Sequence, residues 1–115
     1  MAKIESKYSC PLKLTHNIIG GKWKLMILWH ILHGDNRFSE LKRVIPDITE
    51  KVLYTNLREL EECGIIFKET CYDKKTIAVI YYIQRDYINL KELIDSICEF
   101  TNNYAKLNKI EIGCD

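Results

Sequence analysis

The chain has 115 residues, 47% of them hydrophobic, with 17 Lys and Arg against 16 Asp and Glu and a formal net charge of +1. That length suits one domain with a core large enough to need no metal or disulfide. The near-neutral balance excludes a uniformly basic nucleic-acid coat, but not charge segregated by face. The start, MAKIESKYSC, lacks the apolar run of a signal peptide, and no stretch approaches the ~18 apolar residues of a membrane span. A soluble, cytoplasmic protein without membrane partners is expected. The five cysteines, Cys10, Cys63, Cys71, Cys98 and Cys114, form no C-x-x-C pair, so reduced thiols are expected rather than a disulfide framework.

In chain order, residues 1–10 are polar and read as an arm. Leu12 to Ile19 is a short helix, stopped by Gly20 and Gly21. Lys22 to His33 is apolar nearly all round, with Trp23, Met26, Ile27, Trp29, Ile31 and Leu32, and reads as a central core helix. Ser39 is a candidate cap for the next helix, whose Leu41, Val44 and Ile45 face inward. Pro46 and Asp47 make a turn. Thr49 is the expected cap of a longer helix, with an Asp47–Glu50 capping box as competitor. In that helix Leu53, Leu57 and Leu60, joined by Val52, form the buried stripe, and Gly64 suits a left-handed cap. Its polar faces carry four Glu against two basic residues, Lys51 and Arg58.

Ile65 to Tyr72 and Ile77 to Ile83 flank the polar turn Asp73-Lys74-Lys75-Thr76, a hairpin by pattern. Asn89 opens a last helix, with Glu92 placed for a capping box. Its apolar stripe is Leu90, Leu93, Ile94, Ile97, Phe100, Tyr104 and Leu107, longer than the core requires, and suits packing on a second copy. Residues 108–115 read as a tail. The fold class is α+β, mainly α: a three-helix core and a wing, hence a winged helix-turn-helix, with a C-terminal dimerisation helix.

A helix-turn-helix places its second helix in the DNA major groove. Lys51, Tyr54, Thr55 and Arg58 are the candidate readers, with Asn56 nearer the buried stripe; Thr49 and Glu50 lie at the helix start. Arg37, Ser39, Lys42 and Arg43 around the first helix of the motif, Lys22 and Lys24, and Lys74 and Lys75 on the wing tip are candidate phosphate contacts. A protein-binding module is the competing reading, supported by the near-neutral charge and by Glu59, Glu61 and Glu62. His30 and His33 stand one helical turn apart with no third ligand, so no metal site is expected. No catalytic motif stands out and no cofactor is implied. Trp23, Trp29 and the tyrosines read as core; they could also line a small-molecule effector pocket near a dimer interface. Cys10 before Pro11 can sit at a helix N-terminus, which favours a reactive thiol. Cys63, Cys71 and Cys98 read as core or half-buried, and Cys114 as a tail thiol.

The sequence resembles the HxlR-type transcriptional regulators, winged helix-turn-helix proteins related in architecture to MarR regulators. The matching pieces are Cys10-Pro11-Leu12, Ile19-Gly20-Gly21-Lys22-Trp23-Lys24, Ile27-Leu28-Trp29-His30, Arg37-Phe38-Ser39-Glu40-Leu41, Ile45-Pro46-Asp47-Ile48-Thr49, Leu57-Arg58-Glu59-Leu60-Glu61 and Gly64-Ile65-Ile66. With the hairpin and final helix they cover about residues 10–105, and the set is specific although no single piece is. The resemblance implies a homodimeric, sequence-specific binder of double-stranded DNA, paired through the arm and last helix, with a recognition helix at about 49–63 and a wing at about 67–83. It also implies that Cys10 is a candidate sensor of oxidants or electrophiles. Tyr54, Thr55 and Asn56 depart from the family's small polar and Gln residues, implying a different operator. Ala78 stands where an Arg is common, implying a weaker minor-groove grip. Ile83 to Tyr87 replaces the usual segment after the wing, implying a different connection to the last helix.

Overall fold

The computed structural model describes residues 4–113; Cys114 lies outside them. The order is α1 (Pro11–Ile19), α2 (Lys24–Leu32), α3 (Phe38–Val44), α4 (Glu50–Glu62), β1 (Ile66–Tyr72), β2 (Ile77–Ile83), one 3-10 turn (Arg85–Tyr87) and α5 (Leu90–Leu107). Pro11 occupies the first turn of α1, where its missing N–H costs nothing, and Cys10 is the extended N-cap. The arm is tied down: the Tyr8 hydroxyl accepts from the Glu5 N–H at 2.9 Å and from Asn17 Nδ2 at 2.7 Å.

The core joins Ile27, Leu28 and Ile31 of α2, Leu41 of α3, Ile45 and Ile48 of the following turn, Leu53, Leu57 and Leu60 of α4, Ile66 and Tyr81 of the hairpin, and Ile94 of α5. The expectation that α2 is buried all round fails. Met26 and Trp29 face outward and are exposed, because only one side of α2 meets α3, α4 and the hairpin. Val52 likewise leaves the expected stripe. At ~100° per residue it falls on the flank of the Leu53–Leu57–Leu60 face and is exposed.

Two expected caps are also corrected. Ser39 lies inside the first turn of α3, whose N-cap is Arg37 in extended conformation. Arg37 is held there by a β-bridge to Ile80, and Glu40 Oε1 accepts its backbone N–H at 3.2 Å. Asn89 makes no side-chain cap, because the 3-10 turn delivers the chain to α5 already in helical backbone. Thr49 behaves as expected: its Oγ1 accepts from the Val52 N–H at 3.1 Å and closes the N-terminus of α4.

At the other end of α4, Gly64 adopts φ +78°, and the Gly64 and Ile65 N–H groups return to the Glu61 and Leu60 carbonyls at 2.9 and 3.1 Å. This turn delivers the chain into β1 almost at once. The hairpin is antiparallel from Ile66↔Ile83 to Tyr72↔Ile77. Its base also takes Asn36–Arg37, through the Arg37–Ile80 bridge and a Tyr81 N–H to Asn36 carbonyl bond of 2.8 Å.

Lys24 at the start of α2 is buried and pairs with Glu59 of α4 at 2.8 Å. This corrects the reading of Lys24 as a phosphate contact. Removing one partner strands the other in a poorly hydrated site. Glu59→Ala is therefore expected to cost about 3 kcal/mol in urea unfolding, and Lys24→Met with Glu59→Leu to recover most of that loss. Equal losses in the single and double variants would refute a desolvated pair.

Candidate nucleic-acid interface

The outer face of α4 is set by spacing. Lys51, Tyr54, Thr55 and Arg58 stand at i, i+3, i+4 and i+7, so they share one face, opposite the buried Leu53, Leu57 and Leu60. All four are exposed. The Thr55 hydroxyl donates to the Lys51 carbonyl at 2.9 Å, and its oxygen keeps acceptor capacity outward. Asn56 is half-buried and donates to the Val52 carbonyl at 2.8 Å. It borders the Gly20–Gly21 corner rather than the outer face. Glu50 opens α4, where a carboxylate complements the helix dipole.

The remaining Glu of α4 are engaged. Glu59 pairs with Lys24 of α2, Glu62 with Arg58 at 3.2 Å, and Glu61 lies 3.9 Å from Lys68 of β1. The Glu62–Arg58 pair is exposed, the Glu61–Lys68 pair partly so, and both are weak in energy. Their effect is to place a cation beside each carboxylate. Glu59 was part of the case for an acidic protein-binding face; it points inward instead.

Arg37, Ser39, Lys42 and Arg43 lie on or just before α3, with Arg37, Ser39 and Arg43 exposed and Lys42 half-buried. Lys22 lies over the Trp23 ring at 4.6 Å. Lys74 and Lys75 are exposed at the wing tip, where Asp73 shapes the turn by accepting the Lys74 N–H at 2.7 Å. The outer row of α4, the start of α3 and the wing tip thus supply separate exposed cations.

Elsewhere, Cys10 and Cys63 are half-buried; Cys71 and Cys98, expected in or near the core, are exposed. Burial pushes the Cys63 thiol up, with Lys24 opposing and Glu59 and Glu62 adding to the rise. His33 Nδ1 donates to the Trp29 carbonyl at 2.7 Å and His30 Nδ1 lies 3.3 Å from Asp35. Among the described residues no cluster of three or more His, Cys, Asp or Glu could hold a metal ion, and no helix is long and apolar enough to cross a membrane. An apolar groove of about 450 Å³ separates α2 from α5, lined by Leu25, Met26, Trp29, Ile94, Ile97 and Cys98.

Sequence reasoning missed two positioning residues. Asn36 and Tyr81 join the start of α3 to the wing, a one-residue pairing that leaves no periodic signal. Tyr81 is buried at that joint. Burial, then the Glu61 carboxylate and Tyr54, push its hydroxyl up to about 12. Folded Tyr81 therefore stays protonated where an unfolded tyrosine, near 10, ionises. The unfolded chain binds fewer protons between these values, so stability falls as pH rises through that window. Tyr81→Phe should remove up to about 1.4 kcal/mol of that loss per pH unit, read from urea unfolding below and above pH 10. An unchanged pH slope would contradict the burial of this hydroxyl.

A family model described as HxlR-like helix-turn-helix matches residues 18–109. The HTH-type transcriptional regulator YkvN of Bacillus subtilis is 38% identical over 100 residues, covering 87% of this chain and 84% of its own. The crystal structure of the HTH-type regulator YtcD superimposes with a TM-score of 0.75 at 38% identity, covering 83% of this chain and 96% of that one. The redox regulator HypR in its reduced form gives 0.77 at 31% identity, covering 87% and 98%. The winged-helix architecture and long final helix are those of such regulators. The chain belongs to the HxlR-like helix-turn-helix family and is a transcriptional regulator of the helix-turn-helix type.

Proposed function

We propose that the protein binds operator DNA as a homodimer, with α4 in the major groove and the wing on the backbone or in the minor groove. The observation that carries this reading is the four-residue outer face of α4. It is exposed, anchored from behind by a leucine stripe, and cleared of uncompensated carboxylates except Glu50 at the helix start. Arg58 and Lys51 supply charge for guanine or phosphate; Thr55 and Tyr54 supply hydroxyls for base edges. Thr49, Glu50, Arg37, Ser39, Lys42, Lys74 and Lys75 surround this face, and the cations among them are assigned to phosphates.

The dimer is supported by α5. Leu90, Leu93, Ile97, Phe100, Tyr104 and Leu107 alternate three and four residues apart, a two-position seam of the coiled-coil kind. Phe100 and Leu107 are 71% and 74% exposed, so most of this seam is unspent in one chain. A second copy lying along it would place two α4 helices in successive major grooves, about one DNA turn apart. The groove between α2 and α5 is the assigned place for a small apolar effector. Cys10, half-buried at the N-cap of α1, is the assigned thiol for oxidant sensing, as in a family whose relative HypR is a redox regulator.

Fluorescence anisotropy with genomic duplexes should show binding that weakens steeply with salt, and Lys51→Ala and Arg58→Ala should each cost about tenfold in affinity. No binding to any duplex at low salt refutes the reading; unchanged affinity in both variants moves the reading surface away from α4. Oxidant should change the affinity of the wild type and not of Cys10→Ser, and a surviving response removes Cys10 from the role.

A further inference from the structure

Directly opposed hairpin residues point to the same side, so Ile66, Lys68, Thr70 and Tyr72 share a face with Ile83, Tyr81, Val79 and Ile77. At its base this face is core: Ile66 and Tyr81 are buried, and Val79 and Ile83 pack on the cluster. The same row continues past the edge of the domain. It ends in a cross-strand pair, Tyr72 and Ile77, that are 78% and 69% exposed. At ~3.4 Å per residue, Ile77 stands about 14 Å beyond Tyr81 along the strand. A bulky apolar pair at a hairpin end contributes nothing to this core, and hairpin ends ordinarily carry polar residues.

Its surroundings are cationic. Lys74 and Lys75 sit in the turn that joins the pair, while the intervening Asp73 carboxylate is held by the Lys74 N–H. On the domain side, Ile77 and Val79 line a cleft of about 460 Å³ against Arg37, Phe38 and Ser39 at the start of α3. The pair is thus an apolar point with lysines at its tip and an arginine at its foot.

We infer that Tyr72 and Ile77 form an apolar wedge that enters the DNA minor groove, with Lys74, Lys75 and Arg37 on the flanking phosphates. The inference rests on the DNA-binding reading and names the wing's part in it. Charge complementarity selects the occupant: apolar side chains fit the sugar walls of a groove ~6 Å wide, and phosphates line both rims. A two-stranded ribbon is too broad for that groove, so the strands stay outside it and only the Tyr72 and Ile77 side chains beside the turn enter. The wedge supplies affinity that releases no counterions, so it leaves the salt dependence alone.

The test uses the full chain and a fluorescein-labelled duplex that the wild type selects from a random-sequence library. Tyr72→Ser with Ile77→Ser should weaken binding about tenfold and leave the slope of log affinity against log salt unchanged. Lys74→Ala with Lys75→Ala should weaken binding and flatten that slope by up to about 2. Tyr72→Phe should bind as the wild type does. Circular dichroism melts of all variants should match the wild type, since the replaced side chains are exposed. Unchanged affinity in the Tyr72 and Ile77 double variant, with the wild type binding, overturns the wedge and leaves the DNA reading standing. Failure of the wild type to select any duplex overturns both. A change in oligomeric state of the double variant by sedimentation without DNA makes the pair a protein contact, and likewise overturns the wedge.

Discussion

The rest of the structure turns on one buried ion pair. Lys24 and Glu59 meet at 2.8 Å between the start of α2 and the third turn of α4. Two charges out of water are costly, and the pair repays that cost only while both helices keep their register. It therefore agrees with one rotation of α4 about its own axis, the rotation that the buried Leu53, Leu57 and Leu60 also set. With Leu53, Leu57 and Leu60 seated behind, rotation decides which side chains face out. The outcome is Lys51, Tyr54, Thr55 and Arg58. The same pair takes one carboxylate out of the outer field, and Lys68 and Arg58 offset two more. A helix that is acidic by composition thereby presents a mixed face that phosphates can approach.

Surface is divided between two ends with different chemistry. Around α4 and the wing, most exposed groups are polar or charged, Glu50, Glu62, Glu69 and Asp73 beside the hydroxyls and cations, with the Tyr72–Ile77 pair set among them. Along α5 and the outer side of α2 they include a run of large apolar side chains: Met26, Trp29, Leu93, Phe100, Tyr104 and Leu107. An 18-residue helix that buries only Ile94 and Ala105 in its own chain holds far more apolar surface than this core uses. The chain after α5 adds to this side. Lys109 adopts φ 55°, the Ile110 N–H returns to the Ala105 carbonyl at 2.8 Å, and Ile112 reaches the groove beside Trp29.

Helices and hairpin were legible because periodicity carries them. The Leu53–Leu57–Leu60 spacing, the Thr49 cap, the Gly64 stop and the alternation around Asp73–Thr76 each stand where local chemistry puts them. What was not legible depends on partners distant in sequence. Lys24 reads as a surface lysine because Glu59 is thirty-five residues away. Trp29 and Met26 read as core because a sequence does not say how many sides of a helix find neighbours. Ser39 looks like a cap until Ile80 pairs with Arg37 and holds the chain extended two residues earlier. Of the interface, the four-residue face of α4 followed from spacing alone. The pairing of Glu59, Glu61 and Glu62 with cations did not, because that required contacts among α2, α4 and β1.

Helix α4 and the start of α3 are each joined to a strand of the wing. Gly64 reverses the chain in its left-handed conformation, and β1 begins two residues later. Asn36 and Arg37 clamp the far strand to the start of α3. The first joint is a hydrogen-bonded cap and the second a buried tyrosine at the base of the hairpin. Rotating α4 alone would break the Leu60 carbonyl bond and the Lys24–Glu59 pair together. Tilting the wing alone would expose Tyr81. Under the proposed DNA-binding role, a change at the base, in the α2–α5 groove or at Cys10, would reach DNA by moving α4 and the wing together. In a dimer, such a movement alters the separation of two intact reading units, while the contacts within each unit are preserved.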